Sequence, residues 1–341
     1  MSDTVRWGIL GNANIARVCV IPAIQKSKNG RVRALATRFP AAAEPVATRH
    51  GIPHVYDSYQ ALLEDPAVDA VYIPLPNHLH HPWTLKALTA GKHVLCEKPL
   101  ARNTREAEDM AAAAAKNGRL LMEALMYRFH PRNQRIQRLL KAGLIGKPRL
   151  IRSAFCYSMA EEQLASASNA RLQPDMGGGA LLDVGCYCVS LARWMLGDEP
   201  THVQAQAFYH NSGVDLHLTA TLRFDDFVLA VLEASFISAL QQTYTLIGSD
   251  GAVELPHDAF IPWEKETIFT MRRKDQENGR HCITAGADEY QLMVEHFADS
   301  LTGQCHPTYS LQDSIANMRV LDALAASARS GTSVKIEPTT D

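Results

Sequence analysis

The chain has 341 residues, of which 46% are hydrophobic and 21% are charged, and its formal net charge is −2. This length exceeds what one hydrophobic core usually supports, so it predicts two domains. The near-neutral charge and the lack of a long run of Lys and Arg remove the electrostatic argument for nucleic acid or an anionic membrane as a partner.

The N-terminal residues MSDTVRWGIL enter a strand pattern at once. They lack the basic region, long apolar stretch and small-residue cleavage site of a signal peptide, and the chain has no run of about 18 apolar residues. The seven scattered cysteines indicate reduced core residues. Cys186 and Cys188 have no second pair at zinc spacing. We therefore expect a cytoplasmic protein without a transmembrane helix or a metal site.

The first third of the chain alternates short apolar runs with helical patterns. The apolar runs are VRWGIL (5–10), RVRALAT (31–37), DAVYIPLP (69–76), HVLCEKP (93–99) and RLLMEAL (119–125), and the helical patterns cover 14–27, 58–64, 82–90 and 104–117. Asn103 is placed to cap the last helix and Gly118 to end it. This alternation predicts a parallel sheet covered on both faces. Residues 1–125 are therefore predicted to form an α/β, doubly wound domain.

The pattern changes after residue 125. The next strand patterns are LHLTATLRF (216–224), FVLAVLEASF (227–236) and TYTLIGSDGAVEL (243–255). Turns are indicated at Asp225-Asp226 and at Asp250-Gly251, and a final amphipathic helix is predicted from about 311 to 329. Residues 126–341 are therefore predicted to form an α+β domain with an open, mainly antiparallel sheet, one face of which another subunit would cover.

The first strand runs through a glycine turn into a helix in the segment WGILGNANIARV. Where the dinucleotide fingerprint has three glycines, this chain has Gly11, Ala13 and Ala16. Alanine still allows a pyrophosphate to approach and a helix to pack on its strand, and the helix N-terminus attracts phosphate. A turn of small residues without a ligand is the alternative. We predict that the phosphates bind at Gly11, Asn12, Ala13, Asn14 and Ile15.

The end of the second strand indicates which dinucleotide binds. NAD enzymes usually place an acidic residue there for the ribose 2′-hydroxyl, but ALATRFP supplies Thr37 and Arg38 and no carboxylate. A hydroxyl and a planar guanidinium suit a 2′-phosphate. The predicted cofactor is therefore NADP, with NAD as the alternative, in which case Arg38 is a plain surface residue.

Lys98 lies between Glu97 and Pro99 at the end of the fourth predicted strand. In a doubly wound sheet the carboxyl edge of this strand lies beside the nicotinamide, so Lys98 is predicted to stand where a hydride moves. A lysine–proline bond can be cis. The alternative is that Glu97 and Lys98 form a solvated ion pair at a strand end.

The segments GILGNANIA, VYIPLPNHLH, KHVLCEKPLA, EALMYRFHP and GGGALLDVGCYCV resemble the glucose–fructose oxidoreductase / inositol dehydrogenase / rhizopine-catabolism (Gfo/Idh/MocA) family of NAD(P)-dependent oxidoreductases. The similarity covers essentially the whole chain. It implies an N-terminal Rossmann domain, a C-terminal open-sheet domain, and dimers or tetramers formed through that sheet. It makes Lys98 the catalytic lysine. It also implies that the cofactor contacts Pro74, Leu75, Asn77, His80, Glu97 and Lys98; for His80, a helix N-terminal residue is the alternative.

The resemblance also implies a catalytic pair in the second domain. Many members carry an Asp and a His four residues apart, and this chain has Asp183 and Tyr187. The tyrosine variant resembles the branch with the glucose–fructose oxidoreductases, NADP-dependent D-xylose dehydrogenases and dimeric dihydrodiol dehydrogenases. Oxidising an alcohol requires a base, and a lysine ammonium nearby favours the phenolate of a tyrosine. Lys98 and Tyr187 are therefore predicted to act together, with Asp183 positioning the substrate or Lys98; otherwise Asp183 starts a helix and Tyr187 is a core aromatic.

Four further side chains are predicted to line the substrate pocket, namely Tyr127, Arg128, Phe155 and Tyr157. Trp263 in DAFIPWEKETIF (258–269) lines either the pocket or an interface. The leading prediction is an NADP-dependent dehydrogenase that oxidises C1 of D-xylose or D-glucose to the lactone. A trans-dihydrodiol dehydrogenase is the runner-up, an exported glucose–fructose oxidoreductase ranks third, and a regulator that binds NADP without catalysis is the last alternative.

Overall fold

The computed structural model describes residues 4–225, 227–263, 265–276 and 279–337. They form two compact units, Met1–Phe129 with Asp288–Ile315 and His130–Ala287 with Ala316–Asp341. The first crossing between the units lies close to the predicted division after residue 125. The return of 288–315 to the first unit has no counterpart in the prediction, because an amphipathic helix does not reveal which unit buries it.

The first unit is built on a six-stranded parallel sheet. Its strands are β1 (Val5–Leu10), β2 (Gly30–Ala36), β3 (His54–Tyr56), β4 (Ala70–Ile73), β5 (His93–Cys96) and β6 (Leu121–Glu123). Their order across the sheet is β3-β2-β1-β4-β5-β6, and every pair is parallel. This is the predicted doubly wound arrangement, with the strand order reversing between β1 and β4.

Helices connect these strands. They are a π-helical turn (Ala16–Val20) that continues as α1 (Ile21–Lys26), then α2 (Pro40–His50), α3 (Tyr59–Glu64), a 3₁₀ turn (Asn77–Leu79) before α4 (His80–Thr89), and α5 (Thr104–Asn117). The predicted caps of α5 are confirmed, since Asn103 Oδ1 accepts from the Glu106 amide at 3.0 Å and Gly118 has φ +59°. Neither α2 nor β3 was predicted, because Pro45 interrupts the helical pattern of α2 and β3 has three residues.

The second unit is built on a nine-stranded sheet. Its helices are α6 (Pro131–Lys141), α7 (Glu161–Leu164) and α8 (Cys186–Leu196), and its strands are β7 (Pro148–Ser158), β8 (His202–Tyr209), β9 (Asp215–Arg223), β10 (Leu229–Ser235), β11 (Ile237–Gly248), β12 (Gly251–Leu255), β13 (Thr267–Arg273), β14 (Arg280–Thr284) and β15 (Val334–Lys335). The order is β14-β13-β12-β11-β7-β10-β9-β8-β15. Only β7 and β10 are parallel among these described strands, so the mainly antiparallel sheet is confirmed.

Two long helices precede β15, namely α9 (Glu289–Leu301) and α10 (Leu311–Ser330). Helix α9 packs in the first unit, where Phe297 lies 4.9 Å from Trp7 between ring centroids and Asp299 accepts from Asn29 Nδ2 at 2.6 Å. Helix α10 has the predicted bounds to within a residue. The predicted turn at Asp225-Asp226 lies partly outside the described residues, because Asp226 is not among them.

One face of the second sheet is covered and the other is exposed. Helix α8 packs on β7 and β10. On the opposite face, exposed apolar side chains recur on several strands, namely Phe208, Leu229, Val231, Ile268 and Ile283. One described stretch, Pro174–Leu196, has the length and hydropathy of a membrane-crossing helix, but 78% of its apolar window is buried inside the protein, as in a core helix.

Candidate active site

The turn after β1 leaves room that only glycine can provide. Gly11 has φ +112°, and a Cβ there would lie 2.9 Å from Leu75 Cδ2. Asn12 Nδ2 donates to Ala42 O at 3.0 Å, while its buried Oδ1 has no partner within the described ranges. A backbone that a ligand can approach closely and an unused buried acceptor both fit the ribose and pyrophosphate of a dinucleotide.

The end of β2 holds a hydroxyl and a guanidinium, as predicted from the sequence. Thr37 is buried and its Oγ1 accepts from the Phe39 amide at 3.2 Å. Arg38 is exposed and lies near the phenol of Tyr59; burial raises the pKa of that phenol, and the charge of Arg38 opposes the rise. The Tyr59 oxygen lies 3.8 Å from the position a Cβ on Gly11 would take. Tyr59 therefore links Arg38 to the phosphate turn, a role that no sequence pattern indicated.

Lys98 follows β5 on a short segment, residues 97–100, that we call the E-K-P loop. Glu97 is buried: its Oε1 accepts from the Tyr72 hydroxyl at 2.5 Å and its Oε2 from the Lys98 amide at 3.2 Å. The Lys98-Pro99 bond is cis, and Lys98 is half-buried. Glu97 therefore anchors the loop internally, which disfavours the solvated ion pair that was the alternative reading of the sequence.

His80 joins two loops at the carboxyl edge of the sheet. Its Nε2 lies 2.7 Å from Leu75 O and its Nδ1 lies 2.9 Å from Pro99 O, and the side chain is 1% exposed. Two carbonyl partners favour a charged ring, but burial disfavours it more strongly and lowers the pKa of His80 to about 4. The neutral ring donates to only one of the two carbonyls, and it packs between the loop that carries Leu75 and the E-K-P loop. Its predicted contact with the cofactor stays a prediction.

A buried carboxyl supports the E-K-P loop from β6. Glu123 Oε1 accepts from the Leu100 amide at 3.0 Å, and burial raises the pKa of Glu123 to about 7.

Arg128, which was predicted to line the substrate pocket, is 1% exposed and donates from Nη1 to Asp313 Oδ2 at 2.7 Å, with its guanidinium 4.9 Å from the Tyr309 ring. This internal ion pair gives Arg128 a structural role, so it disfavours the predicted place of Arg128 in the substrate pocket.

The remaining predicted residues of the first unit lie either in its core or at the carboxyl edge of its sheet. Tyr127 is fully buried next to Arg128. Asn77 opens the 3₁₀ turn that follows Pro74 and Leu75, so all three lie at the carboxyl end of β4. The cofactor contacts predicted for this segment and for Asn14 and Ile15 stay predictions, although each residue lies at the edge of the sheet where the prediction needs it.

In the second unit, Tyr187 lies on α8 among two other aromatic side chains. Its ring centroid is 5.2 Å from that of Phe155 and 5.5 Å from that of Phe260, and these two stack at 5.3 Å with an interplanar angle of 3°. Phe155 was predicted at this pocket, whereas Phe260 was not. We call these three side chains the aromatic cluster. Trp263, in the same segment as Phe260, is 45% exposed.

Asp183 lies one turn before Tyr187, in a π-helical turn (Leu181–Gly185) that leads into α8. Such turns are frequent at functional sites. Its Oδ2 accepts from the Tyr157 hydroxyl at 2.9 Å and from Arg171 Nε at 2.8 Å. The structure therefore brings three predicted residues, Asp183, Tyr187 and Tyr157, into one cluster with Arg171. The sequence analysis missed Arg171, because a single arginine in a 3₁₀ turn (Ala170–Leu172) carries no periodic or motif signal.

Metal ligation has no geometric support in the part of the chain that the structure describes, where no three His, Cys, Asp or Glu side chains converge on a common point. The chemistry that the two sets of residues offer is proton transfer and hydrogen bonding. Lys98 lies in the first unit and Asp183 with Tyr187 in the second, so the joint action of Lys98 and Tyr187 stays a prediction.

Comparison with known proteins gives consistent results over the whole chain. Residues 5–125 match the oxidoreductase family with an NAD-binding Rossmann fold, and residues 133–254 match the GFO/IDH/MocA C-terminal domain. A D-xylose 1-dehydrogenase (NADP(+)) of Haloferax volcanii is 36% identical over 97% of this chain and 99% of its own length. A trans-1,2-dihydrobenzene-1,2-diol dehydrogenase of Danio rerio is 32% identical over 85% of this chain and 91% of its own. The crystal structure of KijD10, a 3-ketoreductase from Actinomadura kijaniata in complex with NADP and TDP-benzene, matches with a TM-score of 0.88 at 31% identity, covering 95% of this chain and 98% of that one.

Proposed function

Because the chain belongs to the Gfo/Idh/MocA family of NAD(P)-dependent oxidoreductases, we propose that it is an NADP-dependent aldose 1-dehydrogenase, which oxidises a sugar such as D-xylose or D-glucose to its lactone. The observation that carries the proposal is the E-K-P loop, in which the hydrogen bonds of Glu97 hold Lys98 at the carboxyl edge of an NAD-binding sheet. The second unit contributes Asp183 and Tyr187. The similarity to the Haloferax enzyme supports a sugar as the substrate.

In the proposed reaction Tyr187 is the base. The sugar C1 hydroxyl gives its proton to the Tyr187 oxygen as the C1 hydrogen leaves as a hydride, and the Lys98 ammonium favours the phenolate that receives the proton. NADP⁺, when bound, supplies the hydride acceptor. Asp183 positions the sugar. The residues that would hold the cofactor are those of the phosphate turn with Thr37 and Arg38, and the last two favour NADP over NAD because they suit a 2′-phosphate.

A second candidate function is the oxidation of a trans-dihydrodiol of an aromatic ring. The aromatic cluster of Phe155, Tyr187 and Phe260 favours it, because a flat ring stacks well on such side chains. The similarity to the Danio enzyme supports the same candidate. In this reaction Lys98 and Tyr187 have the same roles as with a sugar.

The decisive experiment follows the absorbance of reduced nicotinamide. Purified protein is mixed with NADP⁺ or NAD⁺ and with D-xylose, D-glucose or a benzene trans-dihydrodiol, and Tyr187→Phe is measured beside the wild type. We expect reduction with NADP⁺ and a sugar, and a loss of roughly 100-fold or more in kcat for Tyr187→Phe, since the general base is removed. Turnover of the dihydrodiol alone would give the function to the second candidate. No turnover of any of them would contradict both.

We further propose that the exposed face of the second sheet joins two copies of the chain. The exposed apolar residues on β10 and on the paired strands β13 and β14 support this, because isolated proteins rarely leave such a face uncovered.

A further inference from the structure

Arg171 is held in a fixed position by its own side chain and by the backbone around it. Its Nε donates to Asp183 Oδ2 at 2.8 Å. Its carbonyl accepts from the Gly179 amide at 2.9 Å, and the carbonyl of Gly179 in turn accepts from the Asp183 amide at 3.1 Å. Arg171 and Asp183 are therefore connected twice, once by the hydrogen bond between their side chains and once by the two backbone hydrogen bonds of Gly179.

The glycines of this segment make that close approach possible. A Cβ on Gly178 would lie 2.5 Å from Arg171 O, and one on Gly179 would collide with the Asp215 carboxylate. Gly179 has φ +111°, which side-chain-bearing residues rarely adopt. The run of three glycines at 177–179 therefore places the Arg171 backbone, so the position of this arginine is encoded in the sequence around it.

The other end of the guanidinium is available. The Arg171 side chain is 54% exposed, and its Nη atoms make no hydrogen bond within the residues that the structure describes. Its partner Asp183 lies four residues before Tyr187, one turn away in the same helical segment. The guanidinium therefore lies on the face of this segment that also carries the phenol of the proposed base. Because a guanidinium has donors and no acceptor, the group it binds must offer an oxygen.

The charges of Arg171 and Asp183 indicate whether the oxygen that Arg171 binds is neutral or anionic. Asp183 pairs with Arg171 through a 2.8 Å contact, so the positive charge is already balanced. An anionic group such as a phosphate or carboxylate would meet the Asp183 carboxylate as well as the arginine. A neutral hydroxyl oxygen would meet no such repulsion.

We propose that Arg171 is a specificity-determining residue, whose Nη edge donates to a hydroxyl oxygen on the carbon next to the carbinol that Tyr187 deprotonates. The substrate is then a neutral vicinal diol, a class that includes the C1 and C2 hydroxyls of an aldose and both hydroxyls of a trans-dihydrodiol. This inference rests on the proposed function, because it takes Tyr187 as the base, and it adds the requirement for a second hydroxyl.

The test removes the hydroxyl and the arginine separately and together. D-glucose is compared with 2-deoxy-D-glucose, which lacks the hydroxyl next to C1, in the wild type and in Arg171→Met. We expect the wild type to lose roughly 10- to 100-fold in kcat/KM when the hydroxyl is removed, as for a hydrogen bond to a charged group. Arg171→Met should lose a similar factor on D-glucose and nothing further on 2-deoxy-D-glucose.

Two control variants separate recognition from folding. Tyr157→Phe removes a second donor to Asp183 Oδ2 but keeps the arginine, so the preference for D-glucose over 2-deoxy-D-glucose should remain. Arg272→Met breaks an exposed ion pair of the same length, 2.8 Å to Glu254 in the same unit, and should change neither substrate's kcat/KM. An equal loss on both substrates in Arg171→Met, or a better substrate in a sugar phosphate, would overturn the inference.

A binding measurement tests the contact without turnover. Calorimetric titration of the NADPH-loaded protein compares trans-1,2-cyclohexanediol with cyclohexanol. We expect the diol to bind roughly tenfold or more tightly in the wild type and this preference to vanish in Arg171→Met. Equal binding of both alcohols by the wild type would overturn the inference even if a sugar is oxidised. If the diol is preferred but Tyr187→Phe still oxidises sugar, the role of Tyr187 as the base is wrong and the contact of Arg171 with the second hydroxyl stands.

Discussion

Glu123 and His80 hold the E-K-P loop from opposite sides, and burial keeps both of them neutral near pH 5 to 6. Glu123 accepts from the Leu100 amide, and its pKa is raised to about 7; His80 contacts Pro99 O, and its pKa is lowered to about 4. Their effects on stability have opposite signs. Between pH 4.5 and pH 7 the unfolded chain has lost the Glu123 proton that the folded state keeps, so this carboxyl makes folding less favourable as the pH rises. Between pH 4 and pH 6.5 the unfolded chain holds a His80 proton that the folded state lacks, so this ring makes folding more favourable as the pH rises.

Glu123→Gln should become more stable than the wild type as the pH rises. The amide keeps an acceptor for the Leu100 N–H and cannot ionise, whereas the wild type must keep a proton on a buried carboxyl or bury its charge. A pKa raised from its ordinary value to about 7 corresponds to about 3 kcal/mol, so the variant should gain stability relative to the wild type by up to that amount between pH 5 and pH 8.

Urea unfolding at several pH values measures this difference. Glu254→Gln is the matched control, since that carboxylate is on the partly exposed strand β12 and its ion pair with Arg272 is a surface one. It should show no comparable trend. A constant difference between Glu123→Gln and the wild type from pH 5 to pH 8 would contradict a raised pKa for Glu123.

Arg38→Ala should weaken NADP binding and spare NAD. The guanidinium is exposed at the end of β2, where the 2′-phosphate is expected, and a charge-assisted contact to phosphate contributes about 1.5 to 3 kcal/mol, so the Kd for NADPH should rise roughly 10- to 100-fold. Arg31→Ala, at the exposed start of the same strand, is the control. Fluorescence titration measures both. A rise in the Kd for NADH of the same size would show that Arg38 supports the fold and does not read the phosphate.

At the scale of elements, the segments that the sequence predicted well are those with an uninterrupted pattern. Strand β1 and helix α5 were predicted with their exact bounds, because the apolar run of β1 and the caps Asn103 and Gly118 are local signals. Helix α2 was missed because Pro45 lies inside it. Its prolines at Pro40 and Pro45 read as loop residues, although the first is a favourable N-terminal residue of the helix.

The residues of the candidate site likewise differ in whether a local sequence pattern indicates them. The position of Lys98 could be predicted, because the motif around it is contiguous and its place at a strand end follows from the doubly wound order; its catalytic role stays a prediction. Tyr72, Glu123 and Arg171 could not, because each meets its partner only after folding: Tyr72 is 25 residues from Glu97, Glu123 is 23 from Leu100, and Arg171 is 12 from Asp183. Side chains that position a candidate site residue leave no local pattern, since their spacing depends on the connections between strands.

Gly11 lies in the turn between β1 and the first helix, where the phosphates are predicted to bind. Gly11→Ala should cost about 2 to 3 kcal/mol of stability and weaken NADPH binding, because it combines an unfavourable φ of +112° with a contact of 2.9 Å to Leu75 Cδ2. Gly51→Ala, at the end of α2, has φ +62° and no atom within 4 Å, so it should cost only about 1 kcal/mol and leave NADPH binding unchanged. Thermal unfolding and fluorescence titration measure the two effects. Equal NADPH affinities in the two variants would show that the Gly11 turn does not receive the cofactor.

At the scale of the whole molecule, the second sheet has one face that the chain itself leaves uncovered. Leu229 and Val231 point outward from β10 and are 42% and 40% exposed. The register places Val231 between Arg152 on β7 and Thr221 on β9, both exposed, so apolar and polar side chains alternate across this face. Such a mixture is typical of interfaces between subunits that also have to be soluble while they assemble.

The double variant Leu229→Asp, Val231→Asp should therefore be monomeric where the wild type is a dimer or tetramer. Two carboxylates on each copy would face those of the partner across a desolvated surface, and burying unpaired like charges costs several kcal/mol, enough to raise the dimer dissociation constant by more than 100-fold. Sedimentation equilibrium measures the mass of both proteins. Val18→Asp is the control, because Val18 is 55% exposed on the first unit and outside the sheet, so this variant should keep the wild-type mass. A wild type that is monomeric at all concentrations, or a double variant that still assembles, would show that this face does not join the subunits.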